Sequence, residues 1–200
     1  ARRQVGGRQR ALQKARELFL YMYFSADLQL EFPLSAFSRD QFFQLSCDFD
    51  ANFGVHEGGV SREGACIFFN GCLIGHRTRL QTTIALSTAE AELAAGCAAA
   101  RLLMGVANFL HEVLFCTNQA VVPLPLLYGD NESANSIAKG NASIRKVRHL
   151  LLPSLYLRQL TRDGRVEVRY KPTSENCADI LTKILGEQRV RVLRHLLRLQ

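Results

Sequence analysis

Residues 41–50 run Gln41-Phe42-Phe43-Gln44-Leu45-Ser46-Cys47-Asp48-Phe49-Asp50. Phe43, Leu45, Cys47 and Phe49 fall on one side of a two-residue repeat; Gln44, Ser46, Asp48 and Asp50 fall on the other. Side chains along a strand alternate between faces, so this pattern is a β-strand with one apolar face. Segments 64–70 and 72–82 continue as two more strands. They are joined at Asn70-Gly71, a pair that accepts the backbone of a tight hairpin. Three antiparallel strands therefore open the main domain.

The period then lengthens. Ser87-Thr88-Ala89-Glu90 has the form of a helix-capping box, and Leu93, Cys97, Ala100, Met104, Ala107, Leu110 and Leu114 form a stripe at helical spacing. Residues 122–129 make a short apolar strand ending at Asp130, and a helix is expected at about 131–138. A further helix covers 144–162, with Pro153 placed to kink or split it. Val166-Glu167-Val168-Arg169-Tyr170 is a fifth strand. Pro172-Thr173-Ser174 opens a helix running to about 185, and 187–199 forms a basic last helix. Upstream, 8–24 is helical and 28–32 has the look of a short strand. The order β-β-β-α-β-α-α-β-α implies an α/β fold: a mixed five-stranded sheet with helices on both faces. Three units follow: a helical arm or connection at 1–40, the main domain at 41–185, and a basic C-terminal helix at 186–200.

Composition narrows the function. Hydrophobic residues make up 48% of the 200 positions, enough for a sizeable core, yet no 18 of them run together, so no membrane partner is expected. Arg2, Arg3, Arg8, Arg10, Lys14 and Arg16 break up any signal-peptide pattern near the start. The six cysteines include no Cys-x-x-Cys pair; a zinc site or disulfide framework is disfavoured, and a reducing, intracellular location (cytoplasmic or nuclear) is expected. The formal net charge of +7, concentrated in 2–16, 139–169 and 183–198, favours a polyanionic partner such as nucleic acid.

Against this basic background, four carboxylates stand in apolar or small-residue settings. Asp50 ends the first strand and Asp130 the fourth, where open α/β sheets gather ligands. Glu92 lies in the first turns of the long helix, on the face shared with Gly96 and Ala99. Glu90 sits three residues after Ser87 and is assigned to the cap. Asp179 lies near the start of a later helix, where the backbone dipole tolerates negative charge. Asp48 shares the face of Asp50 but is read as a solvated strand residue. Clustered carboxylates either hold protons or bind a hard cation. Mg²⁺ takes oxygen ligands and keeps several waters, so a few carboxylates plus a substrate phosphate suit it.

The same residues carry a family resemblance. Asp50-Ala51-Asn52-Phe53 resembles the Asp-Ala-Asp-Trp signature of copia-type retrotransposon ribonuclease H domains. Ala85 to Leu93 is similar to the family's long-helix motif, and Tyr128-Gly129-Asp130-Asn131-Glu132-Ser133-Ala134 to its third. Arg145-Lys146-Val147-Arg148-His149-Leu150 resembles its basic-histidine motif. Tyr170-Lys171-Pro172-Thr173 with Ala178-Asp179-Ile180-Leu181-Thr182-Lys183 resembles the last. Order and spacing agree from about residue 44 to 185; Asn52, Phe53 and Ile184 depart from the pattern. The resemblance implies the ribonuclease H fold and Asp50, Glu92, Asp130 and Asp179 as catalytic, metal-binding carboxylates. It also implies that the arm is the tail of a reverse transcriptase region within a polyprotein.

The expected activity is hydrolysis of the RNA strand of an RNA–DNA hybrid with two Mg²⁺ ions, Mn²⁺ being a possible substitute. His149 is the candidate for proton transfer or product release. Arg145, Lys146 and Arg148 are candidates for gripping phosphate, and Asn131 and Ser133 for contacting backbone or capping the helix. The competing readings are a degenerate, inactive nucleic-acid-binding module and an integrase-type nuclease acting on DNA.

Overall fold

The computed structural model describes residues 2–37, 43–114, 123–141 and 151–200. Helix α1 (Arg2–Phe24) leaves Leu18, Phe19, Tyr23 and Phe24 exposed. The segment expected as a strand at 28–32 is a single bridge instead: Gln29 exchanges backbone hydrogen bonds with Gln200, and the Glu31 N–H donates to the Arg198 carbonyl.

Five strands make one sheet in the order β3-β2-β1-β4-β5. They are β1 (Leu45–Asn52), β2 (Arg62–Phe69), β3 (Cys72–Leu80), β4 (Leu126–Gly129) and β5 (Glu167–Tyr170). The first three form the expected antiparallel meander, turned by Asn70 and Gly71, both at positive φ. β4 joins β1 in parallel, with Ser46 opposite Leu126, and β5 joins β4 in parallel. β1 is thus the central strand, and its C-terminal end lies beside that of β4.

Both faces of the sheet are covered. On one, Leu45, Cys47, Phe49, Ala51, Ala65 and Ile67 pack against α2 (Thr88–Leu114), with α3 (Glu132–Ala138) and α4 (described over Leu151–Arg162) completing the core. α2 is long and apolar enough to cross a membrane by length and composition, but its Ala91, Leu93, Ala95, Ala99, Ala100 and Leu103 are spent on the sheet. Small residues let the layers approach: a Cβ on Gly96 would come within 3.1 Å of the Phe49 ring. On the other face, Cys66 and Phe68 pack with Cys177 and Leu197.

That second face corrects two expectations. The stretch 172–185 is not one helix. It is a short 3-10 turn at Thr173–Glu175, then the four-residue helix α5 (Asp179–Thr182), before α6 (Glu187–Leu196). The chain breaks helical geometry between them because it runs as a strap across β1. There the Asn176 side chain donates to the Phe49 carbonyl at 2.9 Å and accepts from the Ala178 N–H at 3.0 Å. Asp48 is consequently not solvated. It is fully buried beneath the strap, ion-paired to Lys171 at 2.6 Å and accepting from the Cys177 N–H at 3.1 Å.

Candidate active site

Each carboxylate is delivered by a different element. Asp50 lies near the end of β1, fully buried because that strand is central and its polar side faces the strap. Glu92 enters from the second turn of α2. The start of that helix is fixed as expected: the Glu90 N–H donates to the Ser87 hydroxyl, and the Glu90 carboxylate accepts from the Leu86 N–H at 2.6 Å. With Glu90 held in that capping role, Glu92 points at the sheet and is only 3% exposed. Asp130 follows β4 directly and stands partly exposed, accepting from the Thr173 hydroxyl at 2.7 Å. Carboxylate oxygens of Asp50, Glu92 and Asp130 all lie within 4.8 Å of one another.

The electrostatics of this trio are strained. Burial, then the charges of Asp50 and Asp130, pushes the Glu92 carboxyl up to about 9. Its Oε2 is buried with no hydrogen-bond partner. Burial also raises Asp50, against the opposing pull of the Thr182 hydroxyl and Lys183. A buried, unpartnered carboxylate oxygen aimed into a group of three is a poor structural device and a good ligand for a hard cation. The residues therefore fit a divalent ion.

Asp179, the fourth expected carboxylate, is 2% exposed at the start of α5 and is engaged differently. Lys183 Nζ lies 2.5 Å from its Oδ1, and Arg189 donates to its Oδ2 at 3.0 Å. The same Lys183 ammonium lies 2.9 Å from Asp50 Oδ1. The structure thus brings three carboxylates directly together and links the fourth to Asp50 through a lysine.

No family model matches the chain. Over 136 residues, 68% of its length, it is 28% identical to the retrovirus-related Pol polyprotein from transposon TNT 1-94 of Nicotiana tabacum, and it spans about a tenth (10%) of that polyprotein. Its fold is similar to the N-terminal RNase H domain of Rv2228c from Mycobacterium tuberculosis, with a TM-score of 0.52, 12% identity, and coverage of 76% of this chain and 97% of that one. It is also similar to LC11-RNase H1, isolated from compost, with a TM-score of 0.51, 14% identity, and coverage of 70% and 92%. The chain has the ribonuclease H fold. Its sequence is similar to part of a retrotransposon polyprotein, in line with the resemblance carried by the motifs.

Within this ribonuclease H-like domain the remaining candidates are placed as follows. Asn131 caps α3, its side chain accepting from the Ala134 N–H at 3.0 Å, and Ser133 is exposed one turn from Asp130. His149, Arg145, Lys146 and Arg148 lie outside the described residues. Sequence reasoning gives no role to Thr182, Lys183, Lys171 or Asn176, and sets Arg189 on a solvated or nucleic-acid-facing helix side, whereas it pairs with Asp179. For Lys183 a signal existed: it follows Asp179 by four residues, the spacing at which helical side chains meet. Thr182, Lys171 and Asn176 give none, because they act across about 130 residues of chain, as Thr182 does in donating to Asp50.

Proposed function

We propose that this domain is a copia-type retrotransposon ribonuclease H that hydrolyses the RNA strand of RNA–DNA hybrids with two divalent cations, Mg²⁺ or Mn²⁺. The observation that carries the reading is the Asp50–Glu92–Asp130 group with its orphaned Glu92 oxygen, set at the paired ends of β1 and β4 in a ribonuclease H fold. Asp50 and Asp130 would hold the cations, Glu92 completing the first site and Asp179 the second. Bound there, the ions would supply positive charge against the scissile phosphate and acidify the attacking water.

The protein's own groups prepare that chemistry. Thr182 donates to Asp50, and Thr173 to Asp130, so the oxygens left over are aimed by hydrogen bonds rather than free to rotate. The closed helix–sheet contact around Glu92 and the strap over Asp50 keep water off their flanks. The net charge of +7 favours a polyanionic substrate. Within that reading, Arg145, Lys146 and Arg148 grip phosphates, Asn131 and Ser133 contact the nucleic-acid backbone, and His149 serves proton transfer or product release. Residues 41–185 form the nuclease unit, 1–40 the helical arm or connection from a reverse transcriptase region of the same polyprotein, and 186–200 a basic C-terminal helix.

The test is incubation of the chain with end-labelled RNA–DNA hybrid in Mg²⁺ and in Mn²⁺, beside Asp130→Asn. Cleavage of RNA by the parent, at least about a hundredfold faster than by the variant, supports the reading. Binding of hybrid without cleavage in either metal leaves a degenerate binding module instead. Cleavage of duplex DNA in preference to hybrid points to an integrase-type enzyme.

A further inference from the structure

Arg77, Arg79 and Arg101 lie outside the three basic stretches of the sequence, yet the fold brings them to one cleft. The cleft has a volume of about 300 Å³, lies between the edge strand β3 and α2, and is also lined by Ala98 and Leu102. Arg77 and Arg79 share a face of β3 because they are two positions apart, about 6.7 Å along the strand. Arg101 comes from the helix wall. Glu63, buried beside them, is ion-paired with Arg79. Among the described residues Arg77 and Arg101 have no acidic partner, so their two positive charges are uncompensated. Like charges crowded into one cleft repel, which works against the fold and favours a bound anion.

The cleft is separate from the carboxylate site. Arg79 lies opposite Glu63, and Glu63 opposite Ala51, the neighbour of Asp50. Adjacent strands are about 4.8 Å apart, so the β3 backbone runs about 10 Å from β1. Arg101 stands nine positions beyond Glu92 on α2, about 13.5 Å along the helix and half a turn around it. It therefore projects from the side of α2 that Glu92 does not use.

We propose that this cleft binds the phosphodiester backbone of a single nucleic-acid strand, with Arg77 and Arg79 on neighbouring phosphates and Arg101 facing them from the helix. Guanidinium forks match phosphate oxygens two at a time, which suits arginine rather than lysine to the task. The strand arginines are spread along β3 by a distance comparable with the separation of successive phosphates, which favours a chain of phosphates over one small anion. The cleft has room for a nucleotide, not for two paired strands. No aromatic side chain lines it among the described residues, so bases are not stacked there and the grip reads no sequence. Neither the carboxylates nor a metal takes part, so the proposal is independent of the nuclease reading.

The experiment is fluorescence anisotropy of the full chain with labelled oligouridine of about 20 nucleotides, longer than single-strand sites generally run, in EDTA and over a range of salt. Arg77→Gln with Arg101→Gln is expected to bind about tenfold or more weaker than wild type near 0.1 M salt. Its plot of log affinity against log salt is expected to be shallower by about 1.4, two phosphate contacts at about 0.7 each. Arg79 is left in place so that Glu63 keeps its partner. Adding Asp27→Asn and Glu57→Gln, both exposed, restores the net charge, and binding is expected to stay weak. On a blunt RNA–DNA hybrid of the same length the double arginine variant is expected to lose less than about threefold. An unchanged slope, recovery on restoring net charge, or an equal loss on strand and hybrid overturns the proposal. Should the double variant fail to fold by circular dichroism, Arg101→Gln alone decides: a slope shallower by about 0.7 supports the proposal, and an unchanged slope overturns it. If the slopes come out as expected while no hybrid is cut in Mg²⁺ or Mn²⁺, the nuclease reading falls and the cleft stands.

Discussion

Replacing Glu92 with glutamine separates what this carboxylate does for the fold from what it does for a cation. The wild-type group sits against Asp50 and Asp130, buried, with its carboxyl raised to about 9. In the unfolded chain it titrates near 4.5, so between these values the folded state binds a proton that the unfolded state does not. The contribution to stability is therefore full below the unfolded value and is lost as pH rises towards the folded one. Each unit is worth about 1.4 kcal/mol, so three units, from pH 5 to pH 8, cost the metal-free wild type up to roughly 4 kcal/mol at this residue. Glutamine has the shape of the protonated acid and does not titrate. In urea unfolding with EDTA, Glu92→Gln and wild type are expected to be close at pH 5. At pH 8 the variant is expected to be more stable, by about 2–4 kcal/mol once relaxation around the site is allowed for. Adding Mg²⁺ at pH 8 should stabilise the wild type and leave the variant nearly unchanged. A variant less stable than wild type at pH 8, or a difference equal at both pH values, refutes the claim that Glu92 is forced to hold a proton by its neighbours.

Two further substitutions probe the frame around the site. A Cβ on Gly129 would collide with the Phe49 ring, and residue 129 directly precedes Asp130; Gly129→Ala is expected to lower stability by about 1–3 kcal/mol and to shift the aspartate, which a thermal melt and a Mn²⁺ titration would register together. Asp48→Ala removes the partner of the partly exposed Lys171 ammonium and leaves the buried Cys177 N–H without its acceptor, at an expected cost of about 1–3 kcal/mol in denaturant unfolding. Lys171→Met with Asp48→Leu removes both charges and should recover much of that loss.

The order of elements was legible because the chain announces each change of period. Phe43 to Phe49 alternate, Asn70-Gly71 turns the hairpin, and Leu93 to Leu110 repeat at helical spacing; β2, β3 and α2 follow from these to within two residues, while β1, read from 41, begins at Leu45. Alternation tells which side a residue faces but not what lies over that side. Asp48 was therefore misread, since the strap that buries it comes from 123 positions further along the chain. The strap itself reads as one long helix, because Pro172, Thr173 and Ser174 are good helix starters. Nothing local reveals that Asn176 must break away to reach the Phe49 carbonyl. In the site, Glu92 could be separated from Glu90 by cap geometry alone, and the structure places the two as that geometry required. The four-residue spacing of Asp179 and Lys183 is readable, but the reach of Lys183 to Asp50 lies beyond the pattern, because Asp50 arrives from across the sheet.

The hydrogen bond from Thr182 to Asp50 spans 132 residues of chain. Asp50 leaves the ribosome 132 positions ahead of Thr182, so this carboxylate waits for its hydroxyl partner until the strap has been made. Until the strap crosses β1, the Asp48 and Asp50 side of that strand lies open. Closure of that side and completion of the Asp50 hydrogen bonds are thus a single event, and a chain broken off before the strap is one whose Asp50 has met neither Thr182 nor Lys183.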